Sequence, residues 1–290
     1  KEPAAQAHAR FSCEGAGRGT AAERTSEKTM MEPNERRVAS ESWWWPVATP
    51  SGNWDGGDVQ VWRASLRQPA ERLAELSAHL SADEWERAAR FRFPEHGNRF
   101  IAGRGLLREL LAAYLDRPAG ALRFAQGKHG KPVLAGAEAG AGLCFNLSPS
   151  EEGVLYAVAR RAVGADLECH GRSVRYEAII DRICTSGELA CFQAQPAERR
   201  REAFFGCWTR KEAIAKALGG GLASGLRTLE VCFAKDGQPE GRLRLRDAEG
   251  REWSVLSLPL EPGWSGALAG AGAEWRWRGW RLPAAGGGTG

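Results

Sequence analysis

The sequence lacks the features that would direct it to a membrane or to a disulfide framework. No apolar run approaches the ~18 residues that a membrane-spanning helix needs, and the chain does not open with a signal peptide. The seven cysteines are scattered and form no C-x-x-C pair, and the five histidines add no zinc-ligand spacing. We therefore expect a cytoplasmic protein with reduced thiols and no membrane partner.

The chain also lacks a strong excess of either charge. Its 40 basic and 36 acidic side chains leave a net charge of +4, which argues against nucleic acid as a partner but allows a local basic pocket for phosphate. A Walker-type ATPase is disfavoured as well, because the basic turn at 127–132 has no Gly-Lys-Ser/Thr ending. With 290 residues, 43% of them apolar, the chain can bury a substantial core.

Residues 1–55 differ from the rest because they show no clear hydrophobic period. The only two methionines are Met30 and Met31, so we expect the natural start there, with residues 1–29 an upstream read-through or a mis-called extension. Residues 1–55 as a whole are expected to be disordered or a mis-called extension. At the other end, residues 283–290 are expected to form a glycine-rich tail.

Between these ends, strands and helices are mixed without the regular spacing of βαβ units, which predicts an α+β fold. Predicted strands cover about 59–62, 122–124, 143–147, 154–163, a segment reaching 168, and segments near 228–233, 241–246 and 252–258. Predicted helices cover about 81–90, 98–115, 174–194 and 200–218. Ser81 and Glu84 form a capping-box pattern at the first of these helices, and Gly219 ends the last.

Two acidic segments carry the best indication of chemistry. In the strand Gly164-Ala165-Asp166-Leu167-Glu168, the two carboxylates point to the same side because side chains alternate. In the helix Trp208-Thr209-Arg210-Lys211-Glu212-Ala213-Ile214-Ala215-Lys216, Glu212 and Lys216 share a face at i,i+4. Three carboxylates suit Mg²⁺, which prefers oxygen ligands, and a lysine suits a phosphate oxygen. Mn²⁺ is an alternative at an all-oxygen site.

Each of these signals also has an ordinary interpretation. A Glu–Lys pair at i,i+4 is common on solvated helix surfaces, and Asp-x-Glu is common at strand ends. Cys169 and His170 follow directly, but no partner spacing supports a zinc site or a protease dyad. The turn with Lys128, Gly130, Lys131 and Pro132 can cradle an anion or be simply exposed. The arginines on the predicted helices 81–90 and 98–115 have two interpretations: they are ordinary surface charges, or some of them bind a phosphate group.

Taken in order, these segments resemble the Sfp-type 4′-phosphopantetheinyl transferases of the holo-carrier-protein synthase superfamily. The matching segments are Leu122-Arg123-Phe124, Gly130-Lys131-Pro132, Phe145-Asn146-Leu147-Ser148 and the two acidic segments above. The resemblance implies two similar α/β halves related by a pseudo-twofold, at 56–162 and 163–282, with a coenzyme A cleft between them. It also implies a magnesium-dependent transfer of 4′-phosphopantetheine from coenzyme A to a serine of an apo acyl or peptidyl carrier protein, in fatty-acid, polyketide or nonribosomal-peptide biosynthesis. A monomer is expected.

The resemblance assigns roles to individual residues. Asp166, Glu168 and Glu212 correspond to magnesium ligands, and Lys216 to a lysine that contacts phosphate. Either Glu212 or a water on the metal takes the proton of the acceptor serine. The remaining expected coenzyme A contacts are Arg90, Arg99, Lys128, Gly130, Lys131, Pro132, Asn146 and Ser148.

One position departs from the family pattern. After Asn-x-Ser the family carries a histidine that contacts the 3′-phosphate of coenzyme A, whereas this chain has Pro149. We expect weaker coenzyme A binding or poorer discrimination against dephospho-coenzyme A. Two other functions stay open: a magnesium-dependent hydrolase of coenzyme A or nucleotide diphosphates, and a non-catalytic carrier-binding paralogue.

Overall fold

The computed structural model describes residues 45–52, 54, 56–127, 130–219, 230–231 and 241–284. The expectations for residues 1–44, for Lys128 and for the glycine-rich tail from 285 lie outside these residues, as does most of the strand expected near 228–233. The helices are α1 (Ala70–Ser77), α2 (Ala82–Ala89), α3 (Pro94–Leu115), α4 (Ile180–Ile183), α5 (Ser186–Gln193) and α6 (Arg200–Leu218). Short 3₁₀ turns lie at Ala119–Ala121, Gly136–Glu138, Tyr176–Ala178 and Ala197–Arg199.

Within the described residues, the strands form two four-stranded sheets and one hairpin. They are β1 (Val59–Ser65), β2 (Arg123–Gln126), β3 (Pro132–Ala135), β4 (Cys144–Ser150), β5 (Gly153–Ala159), β6 (Val163–Cys169), β7 (Leu243–Arg246), β8 (Glu252–Ser257), β9 (Trp264–Ala271) and β10 (Trp277–Arg281). The first sheet has the order β10-β1-β5-β4, the second β6-β9-β8-β7, and β2 pairs with β3. The mixture of sheets and separate helices confirms the α+β class.

Three hydrophobic clusters give the protein a layered core. One face of the first sheet packs against α3, where Leu107 and Leu111 are fully buried. The other face packs against the second sheet, with Leu155 and Leu167 between them. The far face of the second sheet packs against α5 and α6. The layers therefore follow the order helix, sheet, sheet, helix.

The long helix α3 follows from its local sequence. Pro94 stands at its first turn, where a missing N–H costs nothing, and Asp116 ends it in a left-handed conformation with φ 50°. At Gly105 an added Cβ would lie 2.6 Å from the Cβ of Leu76, so a residue without a side chain lets α1 pack closely. The predicted helix began at Asn98, a turn later than the observed Pro94.

Several boundaries differ from the prediction for physical reasons. The expected helix 174–194 is divided, because Thr185 and Glu188 form a capping box that starts α5 anew after an extended Cys184. The expected strand 154–163 is β5 and ends earlier, at Ala159, and the strand expected to reach 168 is β6, which starts at Val163. Residues 148–150 continue β4 instead of forming a turn. Residues before 59, where the first strand was predicted to start, also pack on the fold: Trp45 is buried, and Val47 forms a β-bridge with Arg281.

Within the part of the chain that the structure describes, no helix is both long enough and apolar enough to cross a bilayer.

Candidate active site

The site forms where β6 lies directly under α6. At Gly164 an added Cβ would lie 2.1 Å from the carbonyl oxygen of Ala213, so only glycine allows the helix to come this close. Side chains alternate along a strand, and Asp166 and Glu168 therefore share the face of Gly164, towards α6. Leu167 points the other way, into the core between the sheets. This is the arrangement that the alternation predicted.

Asp166 is buried in a compact polar group. Its Oδ1 accepts hydrogen bonds from the Lys216 ammonium at 2.6 Å and from the Ser148 hydroxyl at 2.8 Å. The same ammonium lies 3.0 Å from Ser148 Oγ and donates to the carbonyl of Ala165 at 3.2 Å. Burial raises the pKa of Asp166 above its ordinary value, although the Lys216 charge acts in the opposite direction. The structure thus unites Asp166, Ser148 and Lys216, as the sequence predicted.

Glu168 is held by a hydroxyl and a guanidinium. The Ser150 hydroxyl donates to Oε2 of Glu168 at 3.0 Å, and Arg172 Nη1 lies 3.1 Å from both carboxylate oxygens. Half of the Arg172 side chain is exposed, whereas that of Glu168 is 10% exposed. The sequence prediction did not include Ser150 or Arg172. The serine is found by its period-two spacing from Ser148, and the arginine by its four-residue offset from Glu168.

Glu212 completes the acidic group from the helix side. It is 9% exposed, and its Oε1 and the Oδ2 of Asp166 are buried oxygens without a hydrogen-bond partner. Burial raises the pKa of Glu212 to about 7, with the Asp166 and Glu168 charges adding to the effect and Lys216 opposing it. Two buried acceptor oxygens without donors are unusual in a folded protein, and a cation is a suitable partner for them.

Side chains of β4 join this site to the first sheet. Among the strands that the structure describes, β4 and β6 both lie at sheet edges, so some N–H groups of β6 have no strand partner there. Asn146 Oδ1 accepts from Ala165 N at 2.8 Å, and the hydroxyls of Ser148 and Ser150 accept from Leu167 N at 3.2 Å and Cys169 N at 3.1 Å. These three hydrogen bonds form a side-chain ladder along the backbone of β6. Asp166 and Glu168 alternate with the residues that the ladder binds, and it therefore holds them in place. Asn146 and Ser148 therefore position the acidic strand, in addition to any contact with coenzyme A.

Lys131 lies near this group without touching a carboxylate. Its ammonium donates to the carbonyl of Val163 at 2.8 Å and to that of Lys216 at 3.1 Å. Burial lowers the pKa of Lys131 to about 8. In the preceding turn Gly130 is exposed at φ 78°, and Pro132 starts β3 opposite Gln126. The turn therefore reaches the site through Lys131.

Comparison with known proteins assigns the family. Residues 61–161 match the family model for the N-terminal part of 4′-phosphopantetheinyl transferase, and residues 162–269 match the model for the 4′-phosphopantetheinyl transferase superfamily. The chain is 38% identical over 224 residues to the 4′-phosphopantetheinyl transferase HetI of Nostoc sp., covering 77% of this chain and 92% of HetI. The chain belongs to the 4′-phosphopantetheinyl transferase superfamily.

Two further relatives agree with this membership. The 4′-phosphopantetheinyl transferase psf-1 of Bacillus pumilus is 31% identical over 210 residues, covering 72% of this chain and 87% of psf-1. The human L-aminoadipate-semialdehyde dehydrogenase-phosphopantetheinyl transferase is 30% identical over 197 residues, covering 63% of this chain and 64% of the relative. The chain is thus an enzyme of the phosphopantetheinyl transferase class, for which coenzyme A is the substrate that supplies the group and carrier proteins accept it.

In this phosphopantetheinyl transferase, two expected arginines lie apart from the acidic group. The Arg90 side chain is 78% exposed beside Glu86, one turn away on α2. Arg99, on α3, lies 3.7 Å from Glu151 in the turn after β4. Arg99 is therefore connected to the end of β4, whereas Arg90 makes only a surface pair. Pro149 is exposed between the buried Ser148 and Ser150, on the opposite face of β4.

A buried ion pair fixes α6, although the sequence prediction did not use it. Lys211 Nζ lies 2.7 Å from Glu188 Oε2, and both side chains are fully buried. Glu188 also accepts hydrogen bonds from the backbone N–H groups of Thr185 and Val231. Because Lys211 precedes Glu212 on the helix, this pair anchors α6 on one side while Glu212 faces β6. The T-x-x-E pattern at 185–188 was the available sequence signal.

Proposed function

We propose that this enzyme transfers the 4′-phosphopantetheine group of coenzyme A to a serine hydroxyl of an apo acyl or peptidyl carrier protein in a Mg²⁺-dependent reaction. Asp166, Glu168 and Glu212 would hold the ion. One observation carries the metal assignment: Asp166 Oδ2 and Glu212 Oε1 are buried without a hydrogen-bond partner, and the charges of Asp166 and Glu168 act on Glu212. A hard divalent cation is the natural partner for such oxygens. Mn²⁺ suits the same ligands.

The donor set fits the reaction of a pyrophosphate. When bound, Mg²⁺ acts as a Lewis acid that offsets charge on the two phosphates. Lys216 is positioned to stabilise a phosphate oxygen, because its ammonium already lies among Asp166, Ser148 and the strand carbonyl of Ala165. In such transfers the protein contributes mainly orientation and charge stabilisation.

The proton of the acceptor serine needs a base at the site. We assign this role to Glu212, whose carboxylate faces β6 and carries a buried oxygen without a hydrogen-bond donor. A water molecule in the site is the alternative acceptor. At saturating Mg²⁺, a Glu212→Gln variant separates them when its transfer rate is measured across pH, since the pH dependence persists only if the water is the acceptor.

We assign the nucleotide part of coenzyme A to the surface beside Lys131 and Arg99. Lys131 lies next to the helix end that carries Lys216, and Arg99 lies beside the turn that follows Ser150. Gly130, Pro132, Asn146 and Ser148 frame this region. Lys128 is assigned to it from the sequence alone, and Arg90 as a more distant phosphate contact.

We further propose that the enzyme is a cytoplasmic monomer of two similar halves, 56–162 and 163–282, with coenzyme A between them. The first half supplies three strands of a four-stranded sheet that packs on the long helix α3, and the second half supplies all four strands of the sheet that packs on α6. The two matched family models also meet at residues 161 and 162. One strand crosses this boundary, because β10 pairs with β1 in the first sheet.

The release of adenosine 3′,5′-bisphosphate from coenzyme A tests the function directly. Release that requires an apo carrier protein and Mg²⁺ is expected. Release that proceeds equally well without a carrier would instead establish the hydrolase. Asp166→Asn and Glu212→Gln should each lower the carrier-dependent rate at least about a hundredfold, whereas Glu86→Gln, at an exposed carboxylate, serves as the control. Unchanged rates in both site variants would contradict the metal assignment.

A further inference from the structure

A second chemically notable cluster lies behind α6, on the side away from Asp166. The thiol sulfurs of Cys184 and Cys207 are 3.9 Å apart, and each residue is 2% exposed. Glu188 lies within 4.8 Å of both sulfurs, counted from its carboxylate oxygen. Cys184 immediately precedes the N-terminal cap of α5, and Cys207 lies on α6. The transfer reaction does not use any of these residues.

The cluster has the composition of a metal site, but the carboxylate of Glu188 already binds other groups of the protein. Glu188 Oε2 accepts from Lys211 at 2.7 Å and from Thr185 N at 2.9 Å, and Oε1 accepts from Val231 N at 2.6 Å. An ion would have to displace a fully buried ammonium from this carboxylate. Among the described residues, the two thiol sulfurs have no hydrogen-bond partner other than each other. The reactive part of the cluster is therefore the sulfur pair.

We propose that Cys184 and Cys207 form a modification site, an intrachain disulfide generated by a hydroperoxide. The geometry requires a modest movement, since the sulfurs must approach from 3.9 Å to about 2.05 Å. Cys184 lies in the extended connection between α4 and α5, whereas Cys207 lies within a helix that is fixed by the Lys211–Glu188 pair. The connection around Cys184 is the part that moves.

The electrostatics distinguish the two sulfurs. The hydrogen bond with Cys207 lowers the pKa of Cys184, whereas burial raises the pKa of Cys207 well above its ordinary value. Lys211, one helical turn after Cys207, favours a thiolate at either position. Because Cys184 lies in the extended connection and Cys207 within the fixed helix α6, Cys184 is the sulfur that attacks and Cys207 the sulfur that resolves.

The reaction balances in two steps. The Cys184 thiolate attacks one oxygen of hydrogen peroxide, the O–O bond breaks, and a sulfenic acid and hydroxide form; the hydroxide takes up the proton that the Cys184 thiol released on ionisation. Cys207 sulfur then attacks the sulfenic sulfur, so that an S–S bond forms and water leaves with the thiol proton. Overall, two thiols are oxidised by two electrons and one peroxide is reduced to two waters.

Peptide mapping of the full chain tests this site. The reduced protein is treated with equimolar hydrogen peroxide, alkylated and digested with trypsin, which places Cys184 in peptide 183–199 and Cys207 in peptide 202–210. We expect the intact protein to lose the mass of two hydrogen atoms and these peptides to be cross-linked. Fragment ions distinguish Cys184 from Cys191, which lies in the same peptide. Dithiothreitol should restore both free thiols.

A thermal measurement provides a second readout with matched variants. The oxidised wild type should melt about 5 °C above the reduced form, because the disulfide restricts the unfolded chain. Cys191→Ala should keep the gain and Cys184→Ala should lose it. Cross-links to Cys191, separate sulfinic acids, or thiols that stay alkylatable would overturn the proposal. Stoichiometric zinc that protects both thiols would overturn it in favour of a metal site.

Discussion

At the scale of single residues, Glu212 is under opposing influences that set its protonation. Its pKa of about 7 in the folded, metal-free protein lies above the ordinary value of 4.5, because the carboxyl is buried beside Asp166 and Glu168. The folded state therefore keeps a proton that the unfolded chain releases. The resulting stability is fully present below pH 4.5 and is lost as the pH rises through 7.

The direction of the Glu212 pKa shift predicts how stability and Mg²⁺ affinity depend on pH. Without metal, the melting temperature should fall between pH 5.5 and 8, and Glu212→Gln should remove that fall. Mg²⁺ binds the deprotonated carboxylate, so its affinity should rise about tenfold from pH 6 to pH 8. Calorimetric titration at several pH values measures this. An affinity that is independent of pH in the wild type would contradict the assignment of Glu212 as a ligand.

Pro149 gives a prediction about the donor. It is exposed on the face of β4 opposite Ser148, where the resemblance implies a histidine that contacts the 3′-phosphate. Loss of one charge-assisted hydrogen bond costs about 1.5–3 kcal/mol, or roughly ten- to a hundredfold in affinity. KM values should therefore be similar for coenzyme A and dephospho-coenzyme A, and Pro149→His should restore a preference. A strong wild-type preference for coenzyme A would show that other groups, such as Arg99, compensate.

At the scale of secondary-structure elements, the closeness of β6 and α6 depends on Gly164. Gly164→Ala should separate the two elements, because the new Cβ would lie 2.1 Å from Ala213 O and 2.4 Å from Ala217 N, both rigid backbone atoms. Mg²⁺ affinity and the rate of transfer should both fall at least about tenfold, which is the usual effect of losing a group that orients metal ligands.

Gly206→Ala is the matched control for that change. Gly206 lies on the same helix, and its added Cβ meets nothing within 4 Å. This variant should keep its activity and gain about 0.5–1 kcal/mol of stability from the higher helix propensity of alanine. Equal activity in the two alanine variants would show that close strand–helix packing does not form the site.

Local sequence rules were sufficient for the elements that carry the acidic group. Alternation along β6 and the i,i+4 spacing on α6 placed Asp166, Glu168, Glu212 and Lys216 correctly, because each rule acts within one element. The strands β9 and β10 were missed. The glycine and alanine residues of β9 have low strand propensity, and β10 is only five residues long, so both strands depend on pairing with their neighbours.

Contacts between distant elements were beyond those rules. The ladder from Asn146, Ser148 and Ser150 to β6 depends on two sheet edges meeting, and no local pattern encodes that meeting. The same holds for Lys131, whose ammonium binds carbonyls of β6 and α6 instead of an acidic partner. The division of the helix expected at 174–194 was predictable from the Thr185–Glu188 capping pattern, which the apolar period had concealed.

At the scale of the whole molecule, the two proposed halves are tied together strongly. The apolar layer between the sheets, the side-chain ladder and the pairing of β10 with β1 all cross the boundary at 162. We predict a single cooperative unfolding transition in urea, with tryptophan fluorescence and circular dichroism coinciding. A fragment of residues 163–290 should not fold alone. Two separated transitions, or a folded fragment, would contradict this coupling.

The central claim is that this site adds phosphopantetheine to a carrier protein through a metal held by three carboxylates. Intact-mass spectrometry of an apo carrier protein, incubated with the enzyme, coenzyme A and Mg²⁺, tests it most directly. The account predicts a gain of one phosphopantetheine group that disappears with EDTA and with Asp166→Asn. No gain on any acyl or peptidyl carrier, or a gain that persists with EDTA, would contradict it.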